Sequence, residues 1–419
     1  MSVINLLRGG LTITAMQMRV AFVTETYPPE VNGVATTTAR FVDGLLQRRH
    51  AVQLLRPRQQ HHDAPAQAGG LQEVLTRGLP IPHYPHLRMG LPCRRALQAL
   101  WSRQRPDVVH IATEGPLGWS ALCAARRLGL PVTSDFRTNF HAYSGHYGFG
   151  WLYRPIAAYL RHFHNQAHCT LVPTETLRRE LAAAGYQRLH VVPRGVDTQH
   201  FDPARRSAAL RREWGVGDDE VVLGYVGRLA AEKNLKLLLA AFGAVRRQWP
   251  RARLVLVGDG PLREPLQAAC GDLIFAGPRR GAELAAHYAS FDLFAFPSLT
   301  ETFGNVTIEA MASGLPVLAF DHAAAGQLIR CGDNGWTVPC GDDARFVAAA
   351  AALAGDASLR RRLGPRARST ALAQGWDGVV ARFESQLIAA CVAGARHAGA
   401  APPPLHPGRI AQDGPRAGP

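Results

Sequence analysis

Glu301 and Glu309 flank the segment Phe303-Gly304-Asn305, which follows an apolar run at residues 291–296. The run predicts a strand, and Gly304 and Asn305 can open a helix whose free amide groups point back past the end of that strand. A helix terminus of this kind favours phosphate. Glu309 then lies on the first turns of the helix and Glu301 in the loop before it. The two carboxylates can therefore hold hydroxyl groups at both ends of a nucleotide sugar. Glutamates at this spacing are commonly solvated surface charges, and it is their sequence context that favours a binding site.

Arg228 and Lys233 form a cationic pair after another apolar run, at residues 221–226. An arginine fork and a lysine point charge suit a diphosphate leaving group. The alternative is a charged cluster at the start of a surface helix. Lys233 is one of only two lysines among 47 basic residues, which weakens the explanation by random surface charge.

Two candidate residues follow predicted strands in the first half of the chain. Gly33 follows the run at 18–24 and would let the backbone approach a phosphate closely. His141 follows the predicted strand at 131–135, where a residue facing a cleft is expected, although a lone histidine is as well explained by a structural role. Neither Gly33 nor the segment Gly258-Asp259-Gly260 continues into a dinucleotide fingerprint, and this counts against a nicotinamide-dependent oxidoreductase.

His162, His164 and His168 form the pattern H-x-H-x3-H, with His164 and His168 one helical turn apart. Histidines at this spacing can bind a metal ion. No carboxylate or cysteine completes an obvious ligand set in the sequence, so we predict a partly exposed helix face here and no metal site.

The elements that must position these residues alternate between apolar strands and helical segments, which is typical of βαβ units and parallel sheets. The chain therefore predicts an α/β fold with two doubly wound, Rossmann-like halves facing across a cleft. Residues 56–92 interrupt the rhythm and are expected to form a long loop. Strands are predicted at 18–24, 51–56, 107–112, 131–135, 168–172, 189–193, 221–226, 252–257, 272–276, 292–296, 316–319 and 335–338.

Domain bounds follow from the same rhythm. The first domain is expected at 18–198 and the second at 199–375, followed by a helix at 376–395 that packs back across the domains. Residues 1–17 are expected to be a disordered leader and 396–419 a disordered tail rich in Pro, Gly and Ala.

Composition narrows the class of protein. The 419 residues are 47% hydrophobic and 19% charged, which excludes a fibrous or wholly disordered chain. The net charge of +15 is uneven, because residues 1–200 hold 22 arginines against 11 acidic groups, a net of +11. This half favours an anionic partner such as a membrane surface or a phosphorylated acceptor, although a solvated Arg-rich surface explains it equally well. Seven scattered cysteines indicate reduced thiols in a cytosolic protein.

At these residues the sequence resembles the retaining glycosyltransferases of family 4, which have the GT-B fold. The resemblance covers residues 18–383 and includes the blocks at 27–34, 138–143, 193–197, 227–234 and 301–314 in family order. Within the family it most resembles GDP-mannose-dependent α-mannosyltransferases. The segment Asp321-His322-Ala323-Ala324-Ala325 departs from the commoner Gly-Gly-x-Pro-Glu pattern near the donor.

The resemblance implies the role of each candidate. Arg228 and Lys233 would bind the donor diphosphate, Glu301 the transferred sugar and Glu309 the ribose. The amides around Phe303, Gly304 and Asn305 would contact sugar and phosphates. Gly33 would approach the diphosphate from the first domain, and His141 would contact and position the donor sugar. The resemblance implies no cofactor and no divalent metal, since the cationic pair can stabilise the leaving group.

The acceptor is expected to be a lipid or a saccharide, in the synthesis of a cell-envelope glycolipid or polysaccharide. The protein is expected in the cytoplasm. Residues 94–105, RRALQALWSRQR, could form an amphipathic helix that binds an anionic membrane, namely the inner face of the plasma membrane. Alternatively, Leu97, Leu100 and Trp101 pack into their own domain. A UDP-sugar-dependent glycosyltransferase remains open, as do a nucleotide-sugar epimerase and, more remotely, a phosphorylase. A nucleic-acid-binding protein is disfavoured, because it would not require Glu301 and Glu309 beside the cations.

Overall fold

A computed structural model describes residues 17–30, 32–60, 63–81, 84–137, 153–217 and 219–397. Ten strands lie in the first half of the chain, and eight of them form one sheet in the order β10-β9-β8-β7-β1-β2-β4-β3. All its strand pairs are parallel except β3 with β4. The strands are β1 (Arg19–Val23), β2 (Ala51–Pro57), β3 (Gln67–Ala68), β4 (Leu71–Thr76), β5 (Gly78–Ile81), β6 (Tyr84–Gly90), β7 (Val108–Ile111), β8 (Val132–Asp135), β9 (Cys169–Val172) and β10 (Leu189–Val191).

Within the described residues of this half, the helices are α1 (Gly33–Gln47), α2 (Arg94–Arg103), α3 (Pro116–Arg127), α4 (Tyr153–His164) and α5 (Glu175–Ala183). The start of α1 is set by Asn32, whose Oδ1 accepts hydrogen bonds from the amides of Val34 at 3.0 Å and Ala35 at 2.8 Å. This N-cap satisfies amides that the helix itself cannot pair.

A second, wholly parallel sheet has the order β13-β12-β11-β14-β15-β16. Its strands are β11 (Val222–Val226), β12 (Arg253–Val257), β13 (Ile274–Gly277), β14 (Leu293–Phe296), β15 (Val317–Phe320) and β16 (Trp336–Val338). The helices of this half are α6 (Ala208–Glu213), α7 (Leu235–Gln248), α8 (Arg263–Ala269), α9 (Gly281–Ser290), α10 (Asn305–Ala312), α11 (Ala323–Leu328), α12 (Asp343–Gly355) and α13 (Ala357–Leu372). Each of the twelve strands expected from the sequence has a counterpart, and the predicted doubly wound α/β class is confirmed.

The long loop expected at residues 56–92 is a wrong prediction, because β3, β4, β5 and β6 lie within it. Strand β4 runs parallel to β2 and extends the sheet. Its charged Glu73 is buried, where it accepts hydrogen bonds from buried Arg56 on β2 at 3.2–3.3 Å. A charge paired in this way is tolerated inside a protein. The polar composition of the segment therefore led to the prediction of a loop where the chain forms a strand.

Helix α2 places Leu97 and Trp101 in the core of the first domain. The indole Nε1 of Trp101 donates a hydrogen bond to Gln53 at 2.9 Å. The structure therefore favours the alternative in which these apolar side chains pack into their own domain. Arg94, Arg95 and Arg103 remain exposed on the outer face of the helix.

A last helix, α14 (Trp376–His397), returns from the second half and packs on the first sheet. The Phe383 ring stacks on Phe41 of α1 with their centroids 4.2 Å apart. By length and composition, residues 376–395 could span a membrane. Five of the apolar side chains in that stretch instead belong to the core of the first domain, namely Val379, Val380, Phe383, Leu387 and Ala390.

We expect Phe383→Ala to destabilise the first domain by about 3–5 kcal/mol, because it removes a fully buried ring and leaves a cavity. Urea unfolding, followed through the transition that melts this domain, measures the change. Val392→Ala on the same helix, where the side chain is 41% exposed, is the matched control and should have little effect. Equal effects of the two substitutions would contradict the packing of α14 described here.

Candidate active site

The strand order of the second sheet reverses between β11 and β14, since successive strands run outward from that pair in both directions. In open parallel sheets, ligands bind beyond the carboxyl ends of strands at such a reversal. The loop after β11 carries Arg228 and Lys233, and the loop after β14 carries Glu301. The topology therefore brings together the candidates that lie 68 residues apart in sequence, Lys233 and Glu301.

Lys233 forms an ion pair with Glu301 in this crevice. Ser298 is buried and its hydroxyl donates to the same carboxylate oxygen at 2.9 Å, while the Lys233 ammonium lies 3.4 Å from that hydroxyl. The ammonium also lies 5.6 Å from the centre of the Phe296 ring. The lysine is thus held from three sides beside the carboxylate.

Arg228 lies on the solvent side of the same loop, with 44% of its side chain exposed. Its Nη1 lies 3.7 Å from Glu232, one helical turn along the chain. Lys233 is the last residue of a short 3-10 turn, Ala231–Lys233, that follows Arg228 in the same loop. An exposed guanidinium at the mouth of the crevice can reach a ligand that enters from solvent.

The start of α10 is the predicted phosphate-binding terminus. Gly304 precedes it with φ +88°, in the left-handed region that favours glycine, and no side chain caps the helix. The Phe303 ring is buried in the core of the second domain. The contribution of Phe303 to a ligand is therefore limited to its backbone.

Glu309 lies one turn along α10 and accepts a hydrogen bond from the buried Tyr288 hydroxyl at 2.9 Å. Burial raises the pKa of Glu309 from 4.5 to about 7, and the Tyr288 bond opposes that rise. Glu301 and Glu309 thus differ in environment, since one is paired with a cation and the other with a neutral phenol.

Gly33 begins α1 in the first domain and faces the second domain across the cleft. A Cβ atom at this position would lie 2.7 Å from Nη1 of Arg194 and 3.7 Å from Nδ2 of Asn305, the first residue of α10. A side chain at this position would therefore require the Arg194 guanidinium to move. The first turns of α1 and α10 therefore meet at Arg194.

Sequence reasoning missed Arg194 and the role of His322 in lining the site. Arg194 was visible only as part of the linker segment at 193–197. His322 lines a small cavity with Ser298, Glu301 and Thr307, and both of its ring nitrogens are buried with no hydrogen-bond partner in the described residues. Burial lowers its pKa. The sequence did mark this position, because His322 stands where the commoner Gly-Gly-x-Pro-Glu pattern has a glycine. The sequence did not reveal what the histidine contacts. His141 lies outside the described residues.

The histidine cluster is structural, and the prediction of a partly exposed face is wrong for His164, which is fully buried. Its Nδ1 lies 2.9 Å from the Ser134 hydroxyl and its Nε2 3.2 Å from Glu114. Nδ1 of His168 accepts a hydrogen bond from the Val132 amide at 3.1 Å. Within the described ranges, no group of three or more His, Cys, Asp or Glu residues is arranged to hold a metal ion.

Comparison with known proteins identifies the family. Residues 31–200 match the family described as Glycosyltransferase Family 4, and residues 220–356 match Glycosyl transferases group 1. A GDP-mannose-dependent alpha-mannosyltransferase of Mycobacterium tuberculosis is 37% identical over 367 residues, which cover 86% of this chain and 94% of that protein. The chain is a family 4 glycosyltransferase. The resemblance that the sequence motifs carry is therefore confirmed.

Two more distant matches extend the comparison of this glycosyltransferase. An alpha-monoglucosyldiacylglycerol synthase of Streptococcus pneumoniae is 28% identical over 74% of this chain and 73% of that protein. The solved sucrose-phosphate synthase of Thermosynechococcus elongatus superposes with a TM-score of 0.72 at 19% identity, covering 89% of this chain and 100% of that one. The second match supports the GT-B fold, in which two Rossmann-like domains face each other.

The raised pKa of Glu309 predicts a dependence of the glycosyltransferase's stability on pH. A carboxyl whose folded pKa lies above its unfolded value of 4.5 contributes stability below that value, and the contribution is lost as pH rises through about 7. Glu309→Gln can still accept the Tyr288 bond but never ionises. We therefore expect its melting temperature, relative to wild type, to rise between pH 5.5 and pH 8.

Thermal unfolding of the ligand-free protein at both pH values checks this expectation. Glu283→Gln, at an exposed position on α9, is the control and should keep a constant offset from wild type. A constant offset for Glu309→Gln as well would show that Glu309 is ionised throughout this range.

Proposed function

We propose that the protein transfers a mannosyl residue from GDP-mannose to a lipid or saccharide acceptor with retention of configuration. The observation that carries the proposal is the pairing of Lys233 with Glu301 on one side of the uncapped start of α10 and of Glu309 with Tyr288 on the other. The extensive identity to the mycobacterial mannosyltransferase supports mannose as the sugar and GDP as its carrier.

Each group around α10 matches one part of such a donor. The Glu309 carboxylate accepts hydrogen bonds from the ribose hydroxyls. The free amides at Asn305 and the cations Arg228 and Lys233 receive the diphosphate. Glu301 accepts from hydroxyls of the sugar while Lys233 holds it in place. His141 and Gly33 complete the donor site in this proposal, from the first domain.

The reaction requires stabilisation of two developing charges. The bond between the sugar C1 and the phosphate oxygen breaks, which places negative charge on the diphosphate, where Arg228, Lys233 and the helix amides are already oriented. Positive charge develops on the sugar near Glu301. The acceptor hydroxyl attacks C1 from the face that the diphosphate leaves. Its proton passes to the leaving phosphate oxygen, so the products are GDP and the α-mannoside.

The first domain supplies the acceptor site in this proposal. Residues 1–200 carry the net charge of +11, and the streptococcal relative is named for a diacylglycerol product. A lipid acceptor would bring the protein to the surface of an anionic membrane, on the cytoplasmic side where nucleotide sugars are used. Arg94 and Arg95 are exposed on α2, and Leu79 (52% exposed) and Met89 (38% exposed) project from the neighbouring β5–β6 hairpin.

The two glutamates provide the test of this assignment. Glu309→Gln weakens a bond present in ground and transition states alike, so it should mainly raise the donor KM and weaken GDP binding. Glu301→Gln acts where charge develops, so it should lower kcat more than KM and leave GDP affinity nearly unchanged. Donor titrations and calorimetric GDP titrations of each variant make the comparison, with UDP-hexoses and an acceptor-free reaction run alongside.

Ser298→Ala is the matched control for Glu301, since it removes a hydrogen bond to the carboxylate and keeps its charge. It should cause a smaller loss of kcat in the same direction. Loss of GDP binding in Glu301→Gln alone would reverse the assignment. Unchanged kinetics in both glutamate variants would remove the main support for the proposed donor site. Turnover of a UDP-hexose, or release of an altered sugar without acceptor, would favour the alternative enzymes.

Binding to membranes tests the acceptor side. Vesicles with anionic lipid should bind the protein in a salt-dependent manner, because exposed charges are screened within about 8 Å at physiological ionic strength. The double substitution Arg94→Glu with Arg95→Glu should reduce binding in co-sedimentation. The control is the double substitution Arg361→Glu with Arg362→Glu, at two adjacent exposed positions on α13 of the second domain. It should leave vesicle binding unchanged. Equal, salt-independent binding to neutral and anionic vesicles would contradict electrostatic docking.

A further inference from the structure

Arg194 occupies the junction between the two domains. It follows β10 in the segment that leads the chain into the second half. The backbone beyond it is held in place, since the Val196 amide donates to the Gln374 carbonyl at 3.1 Å and Val196 forms a bridge with Gly375. The Arg194 side chain thus projects into the cleft from a fixed point.

The Arg194 guanidinium is buried between the first turns of α1 and α10. The residue is only 6% exposed. Nη1 donates to Asn305 Oδ1 at 3.3 Å and lies 2.7 Å from the position that a Gly33 Cβ would take. Nε is buried without a hydrogen-bond partner in the described residues.

A second guanidinium increases the positive charge at this point. Arg137 is buried and pairs with Asp135, its Nε donating at 2.5 Å, while its Nη1 has no hydrogen-bond partner among the described residues. Burial and the nearby Arg137 lower the pKa of Arg194 to about 10, although the carboxylates of Glu301 and Asp135 oppose this change. Arg194 is therefore still charged at neutral pH, next to another cation.

A buried charge without a counter-ion is costly, and such a group is normally compensated by an anion. Lys233 already has Glu301, and Arg228 lies near Glu232. Among the described residues, no carboxylate lies within salt-bridge distance of Arg194, and its guanidinium donates instead to the neutral side-chain amide of Asn305. Asn305 is the first residue of α10, so the guanidinium also lies beside a helix start that has no side-chain cap.

We infer that Arg194 binds the diphosphate of the donor and joins the two domains through it. The inference rests on the proposed function and adds a phosphate ligand from the linker to those from the second domain. On donor binding, the guanidinium exchanges the amide oxygen of Asn305 for phosphate oxygens. The missing side chain of Gly33 leaves room for the guanidinium at this point.

Calorimetric titration of GDP and guanosine into wild type and Arg194→Met tests the inference, with UDP and uridine in parallel. The diphosphate is the difference between the members of each pair. We expect Arg194→Met to weaken GDP binding roughly 10- to 100-fold, the range for a hydrogen-bonded charge, and to leave guanosine binding unchanged. Arg194→Lys should restore part of the loss, since it keeps the charge and loses the fork.

Arg40→Met is the control, because Arg40 pairs with Asp197 in the same linker at 3.0 Å, so its charge already has a counter-ion. It should bind both ligands as wild type does. Equal weakening of GDP and guanosine in Arg194→Met would indicate a structural role and overturn the inference, as would unchanged GDP binding. If wild type binds none of the four ligands, the proposed function fails and the inference fails with it.

Discussion

The polypeptide crosses between its two domains twice at a single place, and the way in which the loops of one domain face those of the other depends on that junction. Val196 on the outward crossing pairs with Gly375 on the return. Arg368 ties α13 to the linker, because its guanidinium donates to the Thr198 carbonyl at 2.8 Å and to Asp202 at 2.6 Å. These contacts hold the backbone of both crossings together, so the loops of the first domain face those of the second at a defined separation. A cleft lined by charges has little cohesion of its own, and its geometry comes from this apolar and hydrogen-bonded hinge.

Much of the fold could be predicted because parallel strands buried on both faces read as uninterrupted apolar runs. The run before Gly227 and the run before Pro297 are of this kind, and the polar residues directly after them proved to be neighbours. Strand β4 escaped prediction for the opposite reason. It lies near the sheet edge and carries Glu73, whose burial depends on an arginine 17 residues earlier. Local composition contains no information about a partner that only the folded sheet supplies.

In the candidate site too, some residues could be predicted from the order of strands, and others are recognised only in the folded structure. Glu301, Glu309 and Lys233 could be found because they stand in positions that sheet topology makes adjacent. The Tyr288 contact that distinguishes Glu309 from Glu301 could not, because it joins α9 to α10 across 21 residues without any motif. Arg194 could not be identified from the sequence either, because nothing in the linker segment distinguishes it from the other arginines of a chain that has 45. What marks it is the burial of its guanidinium against two helix starts, which is a property of the assembled domains. The two cations therefore differ in their partners. Lys233 pairs with the Glu301 carboxylate, whereas Arg194 donates to the neutral side-chain amide of Asn305.

The return of α14 to the first sheet has a consequence for biosynthesis. Phe41 emerges from the ribosome early, yet the ring that stacks on it, Phe383, is made only after the strands of the second domain. The second domain, continuous from β11 to α13, has all its strands before then. Vectorial synthesis therefore leaves the first domain with an open apolar face until α14 has been made, so of these two domains the one encoded first is completed second. A nonsense mutation just before α14 would leave the candidate site loops intact in sequence but expose that face, which makes such a truncated chain a substrate for chaperones and proteases.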